Sequence, residues 1–212
     1  MENVAILVDG AFFIKRALHI FGRLEPQELA HKLCKHTQYH LTDDKEKERH
    51  RLYRIFFYDC PPLQNKIFHP YLQKQIDMSR SERSIWRLQL HEELKKKRKM
   101  ALRLGQIDDT NISWRINYGK IDWADLEESD FSMDVKQKGV DMRIGIDITS
   151  LALKKQVSRI VLISGDSDFV PAAKFARREG IDFILDSMHA PIKSDLHEHI
   201  DGKHTVFPKP AR

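Results

Sequence analysis

The sequence has little cysteine and no long apolar run, and both absences narrow the kind of protein it encodes. Only two cysteines, Cys34 and Cys60, occur in 212 residues, and they form no CxxC pair. A domain of this size needs no disulfide, so we expect a reducing, cytoplasmic environment. No stretch approaches the roughly 18 apolar residues of a membrane helix. Glu2 and Asn3, placed before an apolar run that Asp9 interrupts, do not resemble a secretory signal.

Glycine and proline are also sparse, and the sequence has no internal repeat. The chain contains 9 glycines and 8 prolines, while 41% of its residues are hydrophobic and 32% are charged. This composition is typical of a folded chain. We therefore expect one domain over residues 1–190, with an insertion at about 60–135, and a polar C-terminal tail over 191–212.

Aspartate, by contrast, recurs at the ends of apolar runs. The runs occupy residues 4–8, 52–58, 160–163 and 183–185, and the aspartates that follow them are Asp9, Asp59, Asp166 with Asp168, and Asp186. Apart from Arg54, the runs are apolar rather than alternating, so they predict strands buried on both faces of a parallel sheet. The carboxyl ends of such strands share one edge, where ligands bind. Carboxylates gathered there repel one another unless protons or a cation compensate them, and a divalent metal is the simplest compensation.

Helical and strand patterns alternate around these runs, as in an α/β fold. Glu25 and Pro26 predict the start of a first crossover helix. In the second half, a helix, a strand, a helix and a strand are predicted over 140–156, 160–163, 171–179 and 182–185. Right-handed crossovers would bring all the strand ends to one side.

The segment from about 60 to 135 is the least regular part of the chain. It shows no clear parallel-strand pattern, and residues 81–104 predict one long charged helix. The basic run 95–99 within it either contacts phosphates through Lys95, Lys97 and Lys99 or is a solvated helix face. Alternation over 112–118 predicts a half-exposed strand, in which Trp114 and Tyr118 either pack internally or stack on bases.

Each aspartate also has a structural interpretation when taken singly. Asp9 and Gly10 form an ordinary turn pair, although this glycine would also let the backbone turn beside a ligand. Asp141 can cap a helix, and the aspartates of the segment 164–168 can serve as turn residues. Asp147 follows Asp141 by six residues, an offset of about 240° around a helix, and is therefore left out of the site.

Three blocks of sequence combine these residues in a recognisable order. They are Val8-Asp9-Gly10, Lys138-Gly139-Val140-Asp141 and Ser164-Gly165-Asp166-Ser167-Asp168-Phe169. Together they resemble the motifs of NYN domains, in the LabA-like branch of PIN-like metal-dependent ribonucleases. The resemblance implies a PIN-like (Rossmannoid) three-layer fold and an endoribonuclease that hydrolyses RNA phosphodiester bonds with Mg²⁺ or Mn²⁺. It also implies that four carboxylates are catalytic and hold the metal: Asp9, Asp141, Asp166 and Asp168.

Several further residues receive secondary assignments. Lys138 is a candidate contact for a phosphate, Ser164 for a ligand or a carboxylate, and Asp59 is a candidate outer carboxylate. NYN domains commonly carry an asparagine where this chain has Phe12, so a catalytically weak RNA-binding or regulatory adaptor is the alternative. A haloacid-dehalogenase-like phosphatase is disfavoured, because Ala11 stands where that family requires a second aspartate.

The net charge of +5 is modest, but it coexists with a predicted acidic site. The remaining surface must therefore be more basic than the total indicates, which suits an anionic polymer as well as ordinary solubility. We expect RNA as the partner, although the sequence does not distinguish RNA from DNA and leaves the oligomeric state open. His197, His199 and His204 are expected to be surface histidines rather than a transition-metal site.

Overall fold

A parallel sheet lies between two layers of helices in the computed structural model, which describes residues 2–42, 49–110, 112–116 and 125–210. The strands in these ranges are β1 (Asn3–Asp9), β2 (Arg51–Asp59), β3 (Lys66–His69), β4 (Lys74–Asp77), β5 (Met100–Leu104), β6 (Gln106–Ile107), β7 (Ser113–Ile116), β8 (Phe131–Asp134), β9 (Gln137–Lys138), β10 (Arg159–Ile163), β11 (Asp182–Asp186) and β12 (Gly202–Lys203). The helices are α1 (Gly10–Phe21), α2 (Pro26–Thr37), α3 (Glu82–Lys95), α4 (Val140–Leu153), α5 (Val170–Arg178) and α6 (Ser194–Glu198).

The main sheet has the strand order β12-β11-β10-β1-β2-β5, and every neighbouring pair is parallel. Strand β1 lies inside it, with Val8 opposite Ile163 of β10 and Phe57 of β2. The carboxyl ends of β1, β2, β10 and β11 therefore share one edge. This arrangement confirms the predicted α/β class and its mostly parallel sheet, and it is consistent with a PIN-like NYN fold.

Both faces of the sheet are covered by helices. Val4, Ile6 and Val8 of β1 pack in one hydrophobic cluster with α1, α2 and α3, whereas Ala5 and Leu7 belong to a second cluster with α4, α5 and α6. All five side chains are completely buried. Neither face of β1 meets water, which explains why its sequence is continuously apolar rather than alternating.

The prediction of one long helix over residues 81–104 is wrong. Helix α3 ends at Lys95, the backbone turns through Lys99 at a φ of 61°, and Met100–Leu104 then forms β5, parallel to β2. The predicted insertion thus contributes an edge strand to the main sheet. Its residues are mostly half-buried, so the continuous apolar run that marked the interior strands is missing here.

Helix α1 begins at Gly10, for which the sequence left open an ordinary turn and a turn beside a ligand. A Cβ atom at this position would lie 2.5 Å from the carbonyl oxygen of Tyr58 and 2.7 Å from a ring carbon of Phe57. Glycine is therefore required because the start of α1 approaches β2 closely.

The described part of the predicted polar tail packs against the domain. Helix α6 lies within it, and β12 pairs with β11 to form the other edge of the sheet. Leu196 is completely buried, and Ile200 and Phe207 are nearly so. Leu196 and Ile200 each stand alone among polar residues, so the local sequence pattern did not indicate an ordered segment here.

The predicted strand over 112–118 is observed as β7, which pairs with β8, while Tyr118 lies outside the described residues. The indole nitrogen of Trp114 donates to the carbonyl oxygen of Phe68 at 2.9 Å, and its ring lies 4.2 Å from that of His69. Trp114 is therefore used in packing.

Among the described helices, none is long and apolar enough to span a bilayer.

A buried ion pair ties α3 to the end of β2. The side chain of Asp59 is completely buried, Arg87 Nε donates to it at 2.8 Å, and His91 Nε2 lies 2.7 Å from the same carboxylate oxygen. Burial alone would raise the pKa of Asp59, but the hydrogen bonds from His91 and Arg87 outweigh it and hold the pKa below its ordinary value. The ionised carboxylate is thus a structural anchor.

We predict that Asp59→Asn lowers the free energy of unfolding by about 3 kcal/mol at neutral pH, because it leaves Arg87, whose side chain is only 11% exposed, without its counter-charge. Since the folded-state pKa is depressed, this contribution is complete above roughly pH 5 and is lost as the pH falls below about 4. Urea denaturation at several pH values measures the difference. Asp195→Asn, which alters an exposed pair with His199, is the control and should change stability by about 0.5 kcal/mol or less. Equal stability of wild type and Asp59→Asn at neutral pH would contradict the assignment.

Candidate active site at the carboxyl ends of the strands

Asp9 ends β1 and caps α1. One of its carboxylate oxygens accepts a hydrogen bond from the backbone nitrogen of Phe12 at 3.1 Å, and the other accepts one from Ser164 Oγ at 3.2 Å. Burial raises the pKa of Asp9, these two hydrogen bonds oppose that rise, and the nearby negative charges of Asp141 and Asp166 add to it. The carboxylate is thus held in place on two sides while it faces other acids.

The segment after β10 forms a tight polar turn. Ser164 is completely buried, and its hydroxyl both donates to Asp9 and accepts from the backbone nitrogen of Asp166 at 3.3 Å. Asp166 in turn accepts from the backbone nitrogen of Asp168 at 3.0 Å and caps the 3₁₀ turn over Ser167–Phe169. Both aspartates are exposed, so their carboxylates remain accessible to a ligand.

Asp141 approaches the same edge from the start of α4. Gly139 precedes the helix with a φ of 79°, a conformation that favours glycine, and Asp141 follows in the first turn. Although the residue as a whole is exposed, partial loss of hydration raises the pKa of its carboxylate, and the charges of Asp166 and Asp168 raise it further. Asp141 and Asp168 also line one open cleft of about 490 Å³ between α4 and α5.

The fold therefore brings four predicted site residues into one electrostatic group: Asp9, Asp141, Asp166 and Asp168. Within the described ranges, no three His, Cys, Asp or Glu side chains are close enough to hold a metal ion in the arrangement shown. The donor chemistry nevertheless fits a hard cation, because all four groups offer carboxylate oxygens. A divalent ion would also relieve the repulsion that raises the pKa values of Asp9 and Asp141.

Phe12 is built into the site's framework. Its backbone nitrogen donates to Asp9, and a Cβ atom placed on Gly165 would lie 2.8 Å from its ring. Any larger residue at position 165 would therefore have to displace this half-buried ring. The sequence identified Phe12 only as a departure from the family pattern, without this packing role.

The secondary candidates are less directly connected to the carboxylates. Lys138 pairs with the buried Asp108 at 2.6 Å, although its side chain remains largely exposed. Lys95 and Lys96 pair with Glu92 and Glu93. The basic run 95–99 directly precedes β5, so it lies at the amino-terminal edge of the parallel sheet, opposite the four aspartates.

Three other acidic residues, Asp59, Asp147 and Asp186, have structural partners. Asp59 is enclosed by its ion pair with Arg87 and is no open ligand. Asp147 accepts from Tyr58 at 2.8 Å and lies 3.2 Å from Arg103, on the other side of α4 from the site.

Asp186, the third of these acids, is fully buried and caps a turn by accepting from the backbone nitrogen of Met188 at 2.8 Å. The partners of Asp59 were not identified from the sequence. Their spacing offered a signal, because Arg87 and His91 are four residues apart and so share a helix face.

Comparison with known proteins identifies the family of this chain. The profile of the NYN domain matches residues 89–201, which is more than half of the chain. A crystal structure of a protein of unknown function from Vibrio parahaemolyticus RIMD 2210633 aligns with 97% of this chain and 93% of its own, at 16% sequence identity and a TM-score of 0.49. Among curated proteins no significant match is found.

NYN domains are generally nucleases, their substrates are typically RNA, and PIN-like nucleases typically use divalent metals. The profile match covers two of the three sequence blocks, those around Asp141 and around Asp166. The chain belongs to the NYN domain family.

Proposed function

We propose that this NYN domain is a metal-dependent endoribonuclease of the LabA-like branch. The observation that carries the proposal is the convergence of four carboxylates, from three separate segments, on the carboxyl-end edge of a parallel sheet. Two of them, Asp9 and Asp141, have raised pKa values because burial disfavours their charged form and neighbouring acids repel it. Acids with raised pKa values at a strand-end edge are typical of functional sites.

Asp9, Asp141, Asp166 and Asp168 would hold Mg²⁺ or Mn²⁺. A bound ion of this kind neutralises a phosphodiester and lowers the pKa of a water molecule, so no side-chain nucleophile is required. Ser164 keeps Asp9 oriented, since its hydroxyl donates to that carboxylate from a completely buried position. The backbone nitrogen of Phe12 fixes the other oxygen of Asp9. These two bonds reduce the freedom of the carboxylate before any ligand arrives.

Lys138 would contact the substrate by exchanging its ion pair with Asp108 for a phosphate group. Its exposed side chain and its position three residues before Asp141 support this secondary role. Lys95, Lys97 and Lys99 would meet only an RNA long enough to reach the opposite edge of the sheet. RNA is the proposed partner because it is the usual substrate of the family.

A catalytically weak RNA-binding adaptor is the second candidate. Phe12 supports it, because the half-buried ring against Gly165 occupies a position where NYN domains commonly place a polar amide. The four carboxylates are unaffected by this change. Metal binding is therefore expected in both cases, and turnover distinguishes them.

We predict that Asp141→Asn reduces Mn²⁺-dependent RNA cleavage more than the roughly 10- to 100-fold loss typical of outer-shell positions. Cleavage of structured and single-stranded RNA is measured with Mn²⁺, Mg²⁺ or EDTA. Asp147→Asn, on the same helix but bonded to Tyr58, is the matched control and should retain activity. A wild type that binds RNA without metal-dependent cleavage would support the adaptor instead.

We further predict that Asp141→Asn raises the thermal midpoint in EDTA at neutral pH, because it removes a charge that Asp166 and Asp168 repel. Mn²⁺ should raise the midpoint of the wild type and raise that of the variant much less. Differential scanning fluorimetry measures both effects. A variant that is destabilised in EDTA would show that Asp141 serves chiefly to cap α4.

A further inference from the structure

A second cleft opens beside the carboxylate edge, on the other helix layer. It has a volume of about 610 Å³ and lies between α1, the start of α2 and the start of α3. Ala11, two residues after Asp9, lines it, as do Gln137, which precedes Lys138, and Arg87, which binds Asp59. The cleft is thus continuous with the edge where the strands end.

The walls of this cleft are largely apolar. Ile14 and Leu18 of α1 line it together with Leu24 and Trp86, and Leu18 is 57% exposed. The indole nitrogen of Trp86 already donates to the carbonyl oxygen of Leu24 at 2.9 Å. What the indole contributes to the cleft is therefore apolar ring surface.

The rim of the cleft is basic. It carries Lys15, Arg23 and Arg83, against one acid, Glu82, which pairs with Arg23. Within the described part of the chain, Lys15 and Arg83 make no ion pair with an acidic side chain. An apolar pocket with two unbalanced cations at its mouth suits a ligand that combines a flat apolar group with a negative charge.

We propose that the cleft between α1, α2 and α3 receives one unpaired nucleotide of a single-stranded RNA, with the base between Leu18 and Trp86 and the adjoining phosphates at Lys15 and Arg83. A volume of about 610 Å³ falls within the roughly 300–1,000 Å³ of small-ligand sites. An unpaired base can leave its stack and enter such a pocket, whereas a base within a duplex must first break its pairing. Because the cleft is continuous with the sheet edge that carries Asp9, the bound RNA would then lie beside the carboxylates. The inference rests on the proposed function for its substrate class.

Binding of a short labelled single-stranded RNA is measured by fluorescence anisotropy in EDTA, so that no cleavage occurs. Arg83→Glu and Leu18→Glu should each weaken binding about tenfold or more, because they place negative charge at the rim or on the wall. Each has a matched control on the opposite helix layer: the exposed Arg178→Glu on α5, and Leu153→Glu on α4, where the leucine is likewise 57% exposed. The controls should bind within about twofold of the wild type. Binding by both cleft variants that equals that of their controls would overturn the proposal.

Competition separates recognition of the base from recognition of phosphate alone. Adenosine 5′-monophosphate should displace the labelled RNA, and ribose 5-phosphate at the same concentration should not. Equal displacement by the two compounds would overturn the base-binding part of the proposal. Salt titration should show a shallower dependence of affinity for Arg83→Glu than for the wild type, because fewer counterions are released.

Failure of the cleft and failure of the proposed nuclease are distinguishable. With Mn²⁺, the cleft variants should still hydrolyse bis(p-nitrophenyl) phosphate at the wild-type rate, since this small diester does not need the cleft. If the wild type is an active nuclease and the cleft variants bind RNA normally, the cleft proposal is refuted and the nuclease proposal is not. An inactive wild type whose RNA affinity in EDTA depends on Leu18 and Arg83 refutes the nuclease and supports the cleft.

Discussion

The parallel pairing of β1 with β2 on one side and β10 on the other is the constraint on which the site depends. Because the three strands run in the same direction, residues that follow them must emerge at the same edge. Asp9 and Asp166 are brought together in this way across more than 150 positions of sequence. Helices on both faces completely bury residues 4–8 of β1, so the position and register of this strand tolerate little change.

Carboxylates at this edge fall into two electrostatic classes. Asp59 is compensated by Arg87 and His91, and its lowered pKa indicates a structural role. Asp9 and Asp141 have raised pKa values because burial and neighbouring acids oppose their charge. The fold thus pairs Asp59, which stabilises it, with Arg87 and His91, and it leaves a negative electrostatic potential around Asp9 and Asp141. Repulsion among these acids destabilises the folded protein when no cation is bound, and the same negative potential attracts a cation. This combination is expected of a functional site.

The interior of the fold could be predicted from the sequence because the buried parts of β1, β2, β10 and β11 include continuous apolar runs. The edges could not. Met100–Leu104 is half-buried and follows a charged helix, so β5 was hidden within a longer helical pattern. Likewise, the four site aspartates were identified by their motifs, whereas the contact between Phe12 and Gly165 and the cleft beside Trp86 depend on how α1 packs. The local sequence pattern indicates which residues are buried. Which side chains meet across the layers is determined only by the tertiary structure.

The central claim is that the acids after β10 bind a divalent metal as a unit with Asp9 and Asp141. Calorimetric titration of Mn²⁺ into the wild type and into the double variant Asp166→Asn, Asp168→Asn tests it most directly. Circular dichroism verifies that the double variant is folded, as expected for two exposed residues. The account predicts a clear binding isotherm for the wild type and its loss, or a large reduction in affinity, in the variant. Undiminished Mn²⁺ binding by the folded variant would contradict the account.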